Sequence, residues 1–320
     1  MDISIIICTY NRSHNLADCF SHLVAQTNVE TVDWEIILVD NNSADDTEAT
    51  VKQLNQTLSL NIRYVFEGEQ GLSVARNRGI QESDATWLIF IDDDIRVEPQ
   101  WLHAIHEGFS LHDCDAVGGR IHIQSPESLP DWIQPDMYGF LGHRDFGDES
   151  FKMDGVNQFP FGGNMAMHRR VFERIGRFDT RMGRKGEGRK AAELFKGEET
   201  DFFMRLKETG GDTYYAQAAI VQHLILPHQL QRRFFRTLHH TAGLQKAVLD
   251  TQTFNRTLFG IPLFLYTQII RAGAKYLVQL LSRGPAFAFR QQMNVGYFTG
   301  MARGYHQRTL SERQQGSTKA

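Results

Sequence analysis

The 320-residue chain is long enough to bury a sizeable core, and its 41% hydrophobic and 22% charged residues are typical of a soluble globular protein. A formal charge of -4 and a pI near 6.4 argue against a nucleic-acid-binding protein, because phosphate-driven binding needs a clustered basic surface. The three cysteines, Cys8, Cys19 and Cys114, form no CxxC pair and favour a reducing compartment.

The chain begins with an apolar run at residues 3–8 that is too short for a signal-peptide core and follows no basic residue. We therefore predict a first strand here and a cytoplasmic protein. From this run to about residue 121, short apolar runs alternate with longer, more polar helical stretches. The runs are Ile3–Cys8, Glu35–Val39, Ile62–Phe66, Trp87–Ile91 and Ala116–Ile121. Such alternation predicts an α/β fold with a doubly wound, mostly parallel sheet, because strands buried on both faces are continuously apolar and each crossover needs a helix.

Polar segments follow the first four predicted strands. They lie at residues 9–12, 40–43, 67–68 and 92–94. In an open sheet of this type, ligands bind at the carboxyl ends of the strands, where the strand order reverses. We therefore expect the functional side chains at this edge of the sheet.

Three consecutive carboxylates, Asp92, Asp93 and Asp94, end the fourth predicted strand. Like charges this close repel each other unless a cation or several hydrogen-bond donors compensate them. Mg²⁺ and Mn²⁺ prefer oxygen ligands, and Mg²⁺ is commonly held by one or two carboxylates together with substrate phosphates. The trio therefore predicts a divalent cation on a phosphorylated ligand. The alternative is a solvated acidic turn that caps the next helix.

The pattern becomes less regular after about residue 124. A glycine-rich stretch at residues 161–164 contains Gly163, which we include among the donor-binding candidates. A basic, glycine-rich segment at residues 181–196 predicts a mobile loop, followed by a helix at 197–210 and a strand or extended segment at 212–219. Such irregular segments are typical of acceptor-binding loops, but also of ordinary surface connections.

A second acidic cluster, Glu198, Glu199 and Asp201, opens the predicted helix. Carboxylates are favoured at a helix N-terminus by the helix dipole, so a capping turn is one interpretation. The other is a general base, because a hydroxyl nucleophile is not ionised at neutral pH and needs a group that takes its proton. We choose Glu199 as the base, with Glu198 and Asp201 as supporting residues or acceptor ligands.

Three further residues have both a functional and a structural interpretation. Arg76, in the segment GLSVARNRG, could bind phosphate or base oxygens, or could be a surface residue of a helix start. Asp40 could accept a hydrogen bond from a pyrimidine imide N–H. His223 could contact a metal or a diphosphate, although a lone histidine is more often structural.

The C-terminal region contains a predicted helix pair, Leu258–Leu281 and Pro285–Gly304. Polar residues interrupt the first helix throughout, so it is not a membrane span. Its apolar residues recur at steps of three and four and form a stripe on one side. The stripe could dock on the cytoplasmic membrane face, with basic residues near acidic headgroups, or could pack against the catalytic domain or a second subunit.

The ordered motifs of the chain resemble glycosyltransferase family 2, a large group of inverting enzymes with the GT-A fold. The motifs are IIICTYNR, ILVDNNSADDT, GLSVARNRGI, FIDDD, FGGNMAMHRRVFERIGRFD and GEETDFFMRLKETGGDTYYAQAAIVQH. The resemblance implies a catalytic domain at residues 1–226, with a nucleotide-binding part to about 122 and an acceptor part at 123–226. The helices at 227–306 resemble the variable C-terminal extension of bacterial polysaccharide-assembly members, and a polar, disordered tail is expected at 307–320.

The resemblance also assigns roles to individual positions. Those that match the nucleotide-contacting positions are Thr9, Tyr10, Arg12, Asp40 and Arg76. Asp92 and Asp94 match the outer members of the DxD motif, of which the first usually meets ribose or metal and the last coordinates the metal, with Asp93 between them in the donor site. The family's Glu-Asp pair, whose second member is usually the base, falls on Glu198-Glu199. Glu replaces Asp here, so the choice between the two glutamates stays open.

These features predict an inverting transfer of a sugar from a nucleoside diphosphate sugar, UDP-linked, to a hydroxyl of a glycan or lipid-linked acceptor. Mn²⁺ or Mg²⁺ would neutralise the departing diphosphate. One rival is a sugar-phosphate nucleotidyltransferase, which normally begins with a glycine-rich basic loop where this chain has CTYNRS. Another is a phosphohydrolase, which would place DxD after the first strand. A noncatalytic glycan-binding module would not need both acidic clusters. A homo-oligomer is compatible with all of these.

Overall fold

The computed structural model describes residues 1–58, 60–186 and 197–317, with side chains to residue 311. The chain divides into two compact units: residues 1–126, 139–186 and 197–225 form the first, and residues 127–138 and 226–317 belong to the second. The predicted loop at 181–196 is described only to residue 186, and the rest of it lies outside the described residues. Within the described ranges, no helix is both long and apolar enough to cross a membrane.

The first unit alternates strands and helices in its N-terminal half, as the sequence predicted. Its elements in chain order are β1 (Ile3–Thr9), α1 (Ser13–Val24), β2 (Trp34–Asp40), α2 (Thr47–Thr57), β3 (Ile62–Phe66), α3 (Leu72–Glu82), β4 (Trp87–Asp92), β5 (Ile95–Val97), α4 (Trp101–Leu111), β6 (Ala116–Gln124), β7 (Phe151–Met153), β8 (Met165–His168), α5 (Arg169–Ile175), α6 (Glu198–Glu208) and β9 (Thr213–Leu224). A 3₁₀ helix, Pro135–Leu141, lies in the connection between β6 and β7.

The described strands of the first unit form one mixed sheet with the order β3-β2-β1-β4-β8-β6-β9-β5, and β7 also pairs with β9. Strands β1 to β4 are mutually parallel, which confirms the doubly wound N-terminal half. Beyond β4 the sheet is mixed, because β8 inserts antiparallel to both β4 and β6. The short strands β5, β7 and β8 were not predicted, since three or four residues carry too little periodicity to identify a strand.

The sheet is buried on both faces. Ile5 and Ile7 of β1 belong to an apolar cluster that includes Trp101 of α4, whereas Ile6 belongs to a second cluster that includes Phe202 of α6. Successive strand side chains point to opposite faces, so a continuous run of isoleucines supplies both cores. The sheet edge at the carboxyl ends of these strands is thereby held rigidly.

The second unit is helical. Its elements are a 3₁₀ helix (Pro227–Leu230), α7 (Arg232–Leu249), β10 (Thr257–Leu258), β11 (Ile261–Pro262) and α8 (Leu263–Ser317). Helix α8 is broken at Gly284, which has a φ of 80° and precedes Pro285. Leu265 shares a buried cluster with Met301 and Tyr305, so the two segments of α8 fold back side by side.

Residues 127–138 belong to this helical unit, although the sequence assigned everything up to residue 226 to the catalytic domain. The reason is Trp132, whose ring lies 5.2 Å from that of Phe235 in α7 and 4.7 Å from that of Phe289 in α8. The Arg232 guanidinium also lies over the Trp132 ring. A partly buried aromatic side chain in an irregular connection therefore decides where that connection packs.

Helices α7 and α8 cross so closely that their backbones lie against each other. A methyl group on Gly243 would overlap the carbonyl oxygen of Tyr297, and one on Gly300 would overlap the carbonyl oxygen of His240. Glycine is the residue that allows two backbones to approach this closely.

The C-terminal end differs from the predicted disordered tail. The backbone of α8 remains helical to Ser317, and residues 318–320 lie outside the described residues. The start of the polar segment is anchored, because Arg308 donates hydrogen bonds to the carbonyl oxygens of Asp250 and Gln252. Tyr305 donates another to the Asp250 carboxylate.

Candidate active site

The parallel strands bring the predicted site residues to one edge of the sheet. Thr9 at the end of β1 is in register with Asp40 at the end of β2, and Cys8 is in register with Asp92 at the end of β4. Asp40 is buried and accepts hydrogen bonds from the Ser43 backbone N–H at 2.9 Å and the Tyr64 hydroxyl at 2.8 Å. The nucleotide contact predicted for Asp40 would therefore use lone pairs that these two donors leave open.

Thr9 and Arg12 hold the aspartate turn. The Thr9 hydroxyl donates to Asp93 Oδ2 at 2.6 Å, and Arg12 Nη1 donates to Asp93 Oδ1 at 2.9 Å and to Asp94 Oδ2 at 2.8 Å. Thr9 and Asp93 are both buried. Burial raises the pKa of Asp93, and the Arg12 charge opposes that rise. These three residues, predicted as donor contacts, thus have a positioning function in the structure, while the neighbouring Tyr10 stays partly exposed.

Asp94 and His223 face each other at the edge of the sheet. His223 Nε2 lies 3.5 Å from Asp94 Oδ1, and that oxygen has no hydrogen-bond partner among the described residues. His223 Nδ1 lies 2.7 Å from the Leu141 carbonyl oxygen. A carbonyl oxygen can only accept, so we infer that Nδ1 donates its proton to Leu141 and that Nε2 faces Asp94. A proton on Nε2 makes the ring an imidazolium that pairs with the carboxylate, and its release leaves a lone pair that a metal ion can take. Such a pair fits a divalent cation.

The charges around this pair keep Asp94 ionised. Burial raises its pKa, but His223, Arg12 and Arg184 outweigh burial and hold the pKa below its ordinary value. The same interaction raises the pKa of His223, although burial alone would lower it. Arg184 was interpreted from the sequence only as part of a basic loop, and nothing local in its sequence indicated that it would lie close to Asp94.

The three aspartates have different partners in the structure, and the metal site expected at Asp92, Asp94 and His223 stays a prediction. Within the described ranges, no group of three or more His, Cys, Asp or Glu side chains is arranged to hold a metal ion. Asp93 is engaged by Thr9 and Arg12, and Asp92 lies 3.6 Å from Arg76 Nη2. The strand ends at Asp92 and the chain turns at Asp93 and Asp94, so the three carboxylates meet different partners. Asp94 and His223 are the two predicted metal ligands that face each other directly.

Arg76 links the aspartate turn to the second acidic cluster. The residue is 1% exposed, and its guanidinium lies 3.6 Å from Asp92, 3.3 Å from Glu198 and 3.3 Å from Glu199. The burial of Arg76 excludes the surface interpretation, whereas the nucleotide contact stays a prediction, and the described partners of Arg76 are carboxylates. A fully buried arginine needs such partners, because an unpaired charge in the interior is costly.

The two glutamates at the start of α6 differ in environment. Glu198 is buried, whereas the Glu199 side chain is 21% exposed. Burial and the neighbouring Glu199 charge raise the pKa of Glu198 to about 8, so Glu198 holds a proton at neutral pH. Asp201 lies one turn into the helix and pairs with Arg205 at 2.9 Å. Glu199 is therefore the accessible carboxylate of the cluster, and Asp201 is engaged elsewhere.

Gly162 is a site residue that the sequence did not single out. A methyl group at Gly162 would overlap both the Arg76 guanidinium and the Glu199 carboxylate. Its neighbour Gly163, the predicted donor contact, instead faces Ile95, whose Cδ1 would lie 3.0 Å from an added Cβ. The sequence signalled a glycine pair, but only the packing distinguishes which glycine lies against the charged residues.

The segment before α6 is docked on α3 as far as it is described. Asn77 exchanges two hydrogen bonds with the Phe178 backbone, and the Ser73 hydroxyl donates to the Met182 carbonyl oxygen at 2.8 Å. The Leu72 N–H donates to the Arg184 carbonyl oxygen at 2.9 Å. Residues 181–186 are thereby fixed at the N-terminal end of α3.

The Glu198 pKa predicts a dependence of stability on pH. Its ordinary value is 4.5 and its folded value is about 8, so the folded chain holds a proton that the unfolded chain has released. The stabilising contribution is complete below about pH 4.5 and is lost as the pH rises towards 8. Glutamine stays neutral, so Glu198→Gln does not lose this contribution. We expect its melting temperature, relative to that of the wild type, to rise by about 3 °C or more from pH 5.5 to pH 8.5. Thermal melts at both values measure this gain, with the exposed Glu173→Gln as control; an equal gap at both pH values would contradict it.

Comparison with known proteins adds a family match. The family model described as glycosyl transferase family 2 matches residues 4–176. The chain is 24% identical over 255 residues to the glucosyl-dolichyl phosphate glucuronosyltransferase of Haloferax volcanii, with 78% of each chain covered. It is 25% identical over 310 residues to the succinoglycan biosynthesis protein ExoM of Rhizobium meliloti, covering 94% of this chain and 93% of that protein.

A solved structure supports the same fold. The mannosyltransferase PcManGT from Pyrobaculum calidifontis, in complex with GDP-Man and Mn²⁺, superposes with a TM-score of 0.60 and 16% identity. The match covers 94% of this chain and 85% of that one. The mixed sheet with its C-terminal helix is thus the architecture of GT-A glycosyltransferases.

Proposed function

The chain belongs to glycosyl transferase family 2, and from that premise we propose that it transfers a sugar from a nucleoside diphosphate sugar, with inversion, to a hydroxyl of a glycan or lipid-linked acceptor. It is a glycosyltransferase of glycan biosynthesis. The main support for the proposed mechanism is that two sites of different chemistry lie at the same edge of the sheet. A carboxylate–imidazole pair suits a cation on a diphosphate, and an accessible glutamate beside a protonated one suits acceptor activation.

The cation would be Mn²⁺ or Mg²⁺, held by Asp94 and His223 together with phosphate oxygens and water. Asp94 Oδ1 and His223 Nε2 fit this role, because they face each other and each presents a lone pair once Nε2 has released its proton. When bound, the cation supplies electrostatic stabilisation of the charge that develops on the departing diphosphate. Arg12 fixes the Asp94 carboxylate, and Arg184 adds positive charge near it. The GDP-Man and Mn²⁺ in the structural neighbour are consistent with this chemistry.

Glu199 would be the general base. It takes the proton of the acceptor hydroxyl while the acceptor oxygen forms a bond to the anomeric carbon and the bond to the diphosphate breaks. Attack from the face opposite the leaving group inverts the anomeric centre. Glu198 keeps its own proton, so it does not compete for the acceptor proton but supports Glu199 as a neighbour. Arg76 balances the negative charge on both sides of the site.

The donor nucleotide that we propose is UDP, with Asp40 accepting the imide N–H of the pyrimidine. The enzyme would act in the cytoplasm, which agrees with three buried cysteines that are free of disulfides in the structure. The relative that names a dolichyl phosphate acceptor and the relative that names succinoglycan biosynthesis support a lipid-linked or glycan acceptor.

The proposal is tested by nucleotide release from a panel of UDP- and GDP-sugars, with Mn²⁺ and with EDTA. We expect release from at least one UDP-sugar with Mn²⁺, loss of release in EDTA, and a higher melting temperature with that donor, because a ligand that binds the folded state stabilises it. Release from GDP-sugars alone would correct the nucleotide. Neither release nor a thermal shift with any donor would overturn the proposal.

A further inference from the structure

The second unit has an unusual charge distribution. Between residues 251 and 311 the chain contains seven arginines and lysines and no aspartate or glutamate, in a protein whose overall charge is -4. A stretch of this length with a single sign of charge creates a positive field over the surface it forms. The field favours an anionic partner.

The same stretch exposes an apolar face. On the first segment of α8, residues 263–283, a row of large apolar side chains points to solvent at helical spacing, and we call this row the α8 stripe. Its members are Leu263, Ile270, Leu277, Val278 and Leu281. Ile270 is 70% exposed and Leu281 is 87% exposed. The opposite face of this segment is already packed, since Leu265 and Ala272 are buried. The α8 stripe therefore takes no part in the packing within the second unit.

Basic residues border the α8 stripe. Arg271 and Lys275 are both exposed. Arg271 follows Ile270 of the stripe by one residue, which rotates it about 100° around the helix, and Lys275 lies one turn further along the same side. Arg283 lies exposed at the end of the segment, with its guanidinium 4.4 Å from the Phe287 ring centroid. An apolar face with a basic flank is the arrangement that lets a helix lie in the interface of a bilayer.

We propose that the α8 stripe binds in the plane of a lipid bilayer that carries anionic headgroups. Burial of the stripe among acyl chains removes apolar surface from water, and the flanking cations lie at the level of the phosphates. Charge decides against a second copy of this chain as the occupant. Pairing two such faces would bring Arg271 and Lys275 towards the same residues of the other copy, and no acidic side chain of this stretch could neutralise them.

The test is co-sedimentation of the full chain with phosphatidylcholine vesicles and with vesicles of equal phosphatidylcholine and phosphatidylglycerol. We expect binding to the anionic vesicles that weakens as salt is raised. The double variant Arg271→Gln/Lys275→Gln should lower the partition coefficient about 25-fold, because each basic residue near an anionic surface contributes about a factor of five. The triple variant Ile270→Gln/Leu277→Gln/Leu281→Gln should lower it at least as much.

Matched controls lie on the first unit. Leu111→Gln removes an exposed apolar side chain, and Lys52→Gln removes an exposed cation, so neither should change partitioning. Equal binding to both vesicle types, or unchanged binding of the double and triple variants, would overturn the proposal. So would a dimer in sedimentation velocity that the triple variant converts to monomer without any loss of vesicle binding. Circular dichroism checks the fold of each variant, and the readout is independent of sugar transfer.

Discussion

Replacing Glu199 with glutamine is expected to lower kcat by about 1000-fold while leaving the dissociation constant of the nucleotide donor within about threefold of the wild type. Glutamine matches the size of glutamate but cannot take a proton from the acceptor. The donor should still bind, because the Asp94–His223 pair does not involve this side chain. Single-turnover rates and donor titration by calorimetry measure the two quantities separately.

Glu198→Gln is the matched control for this experiment. Glu198 is buried and protonated at neutral pH, so a neutral amide reproduces its charge state and should keep kcat within about tenfold. If Glu198→Gln abolished turnover and Glu199→Gln did not, the base would be Glu198. If both variants kept nearly full activity, the base would lie outside this pair.

Asp94→Asn should lower kcat/KM by about 100- to 1000-fold, the range expected when one electrostatic contact with a developing charge is removed. The substitution removes the negative charge of the proposed Asp94–His223 cation site. His223 then remains the one unchanged side-chain ligand of that proposed pair. The affinity for Mn²⁺ should fall with it, by at least about tenfold. Metal titration in the presence of the nucleoside diphosphate measures the affinity, and nucleotide release measures the rate.

Asp201→Asn controls for the loss of an acidic residue near the site. Asp201 pairs with Arg205 on the surface of α6, so its loss should leave the Mn²⁺ affinity unchanged. A wild-type affinity for Mn²⁺ in Asp94→Asn would exclude Asp94 as a ligand. A parallel loss of Mn²⁺ affinity in His223→Gln would be the result expected if the two side chains share one ion.

The first four strands were predictable because their signal is local. Each of the runs 3–8, 35–39, 62–66 and 87–91 is mainly apolar and is followed by polar residues. Parallel pairing places those polar residues together without further information. The position of Asp92 and Asp40 at one edge follows from this pairing. Of the two glutamates, only the structure distinguishes the buried one from the accessible one.

The contacts that were missed depend on side-chain direction and on distant parts of the chain. Arg76 contacts Glu198 across 122 positions of sequence, and its burial is not visible in the helix that carries it. Gly162 and Gly163 are equivalent in sequence and differ only in what lies opposite them. Trp132 joins the helical unit through two rings that lie about a hundred or more residues further along the chain.

The crossing of α7 and α8 bears on mutational tolerance. Where side chains set the distance between two helices, an exchange of one apolar residue for another is absorbed by repacking. At Gly243 and Gly300 the backbones themselves set the distance, and the obstacle to any larger residue is a carbonyl oxygen that cannot rotate away. Substitution libraries over the second unit should therefore accept many changes among its apolar side chains and reject even alanine at these two positions.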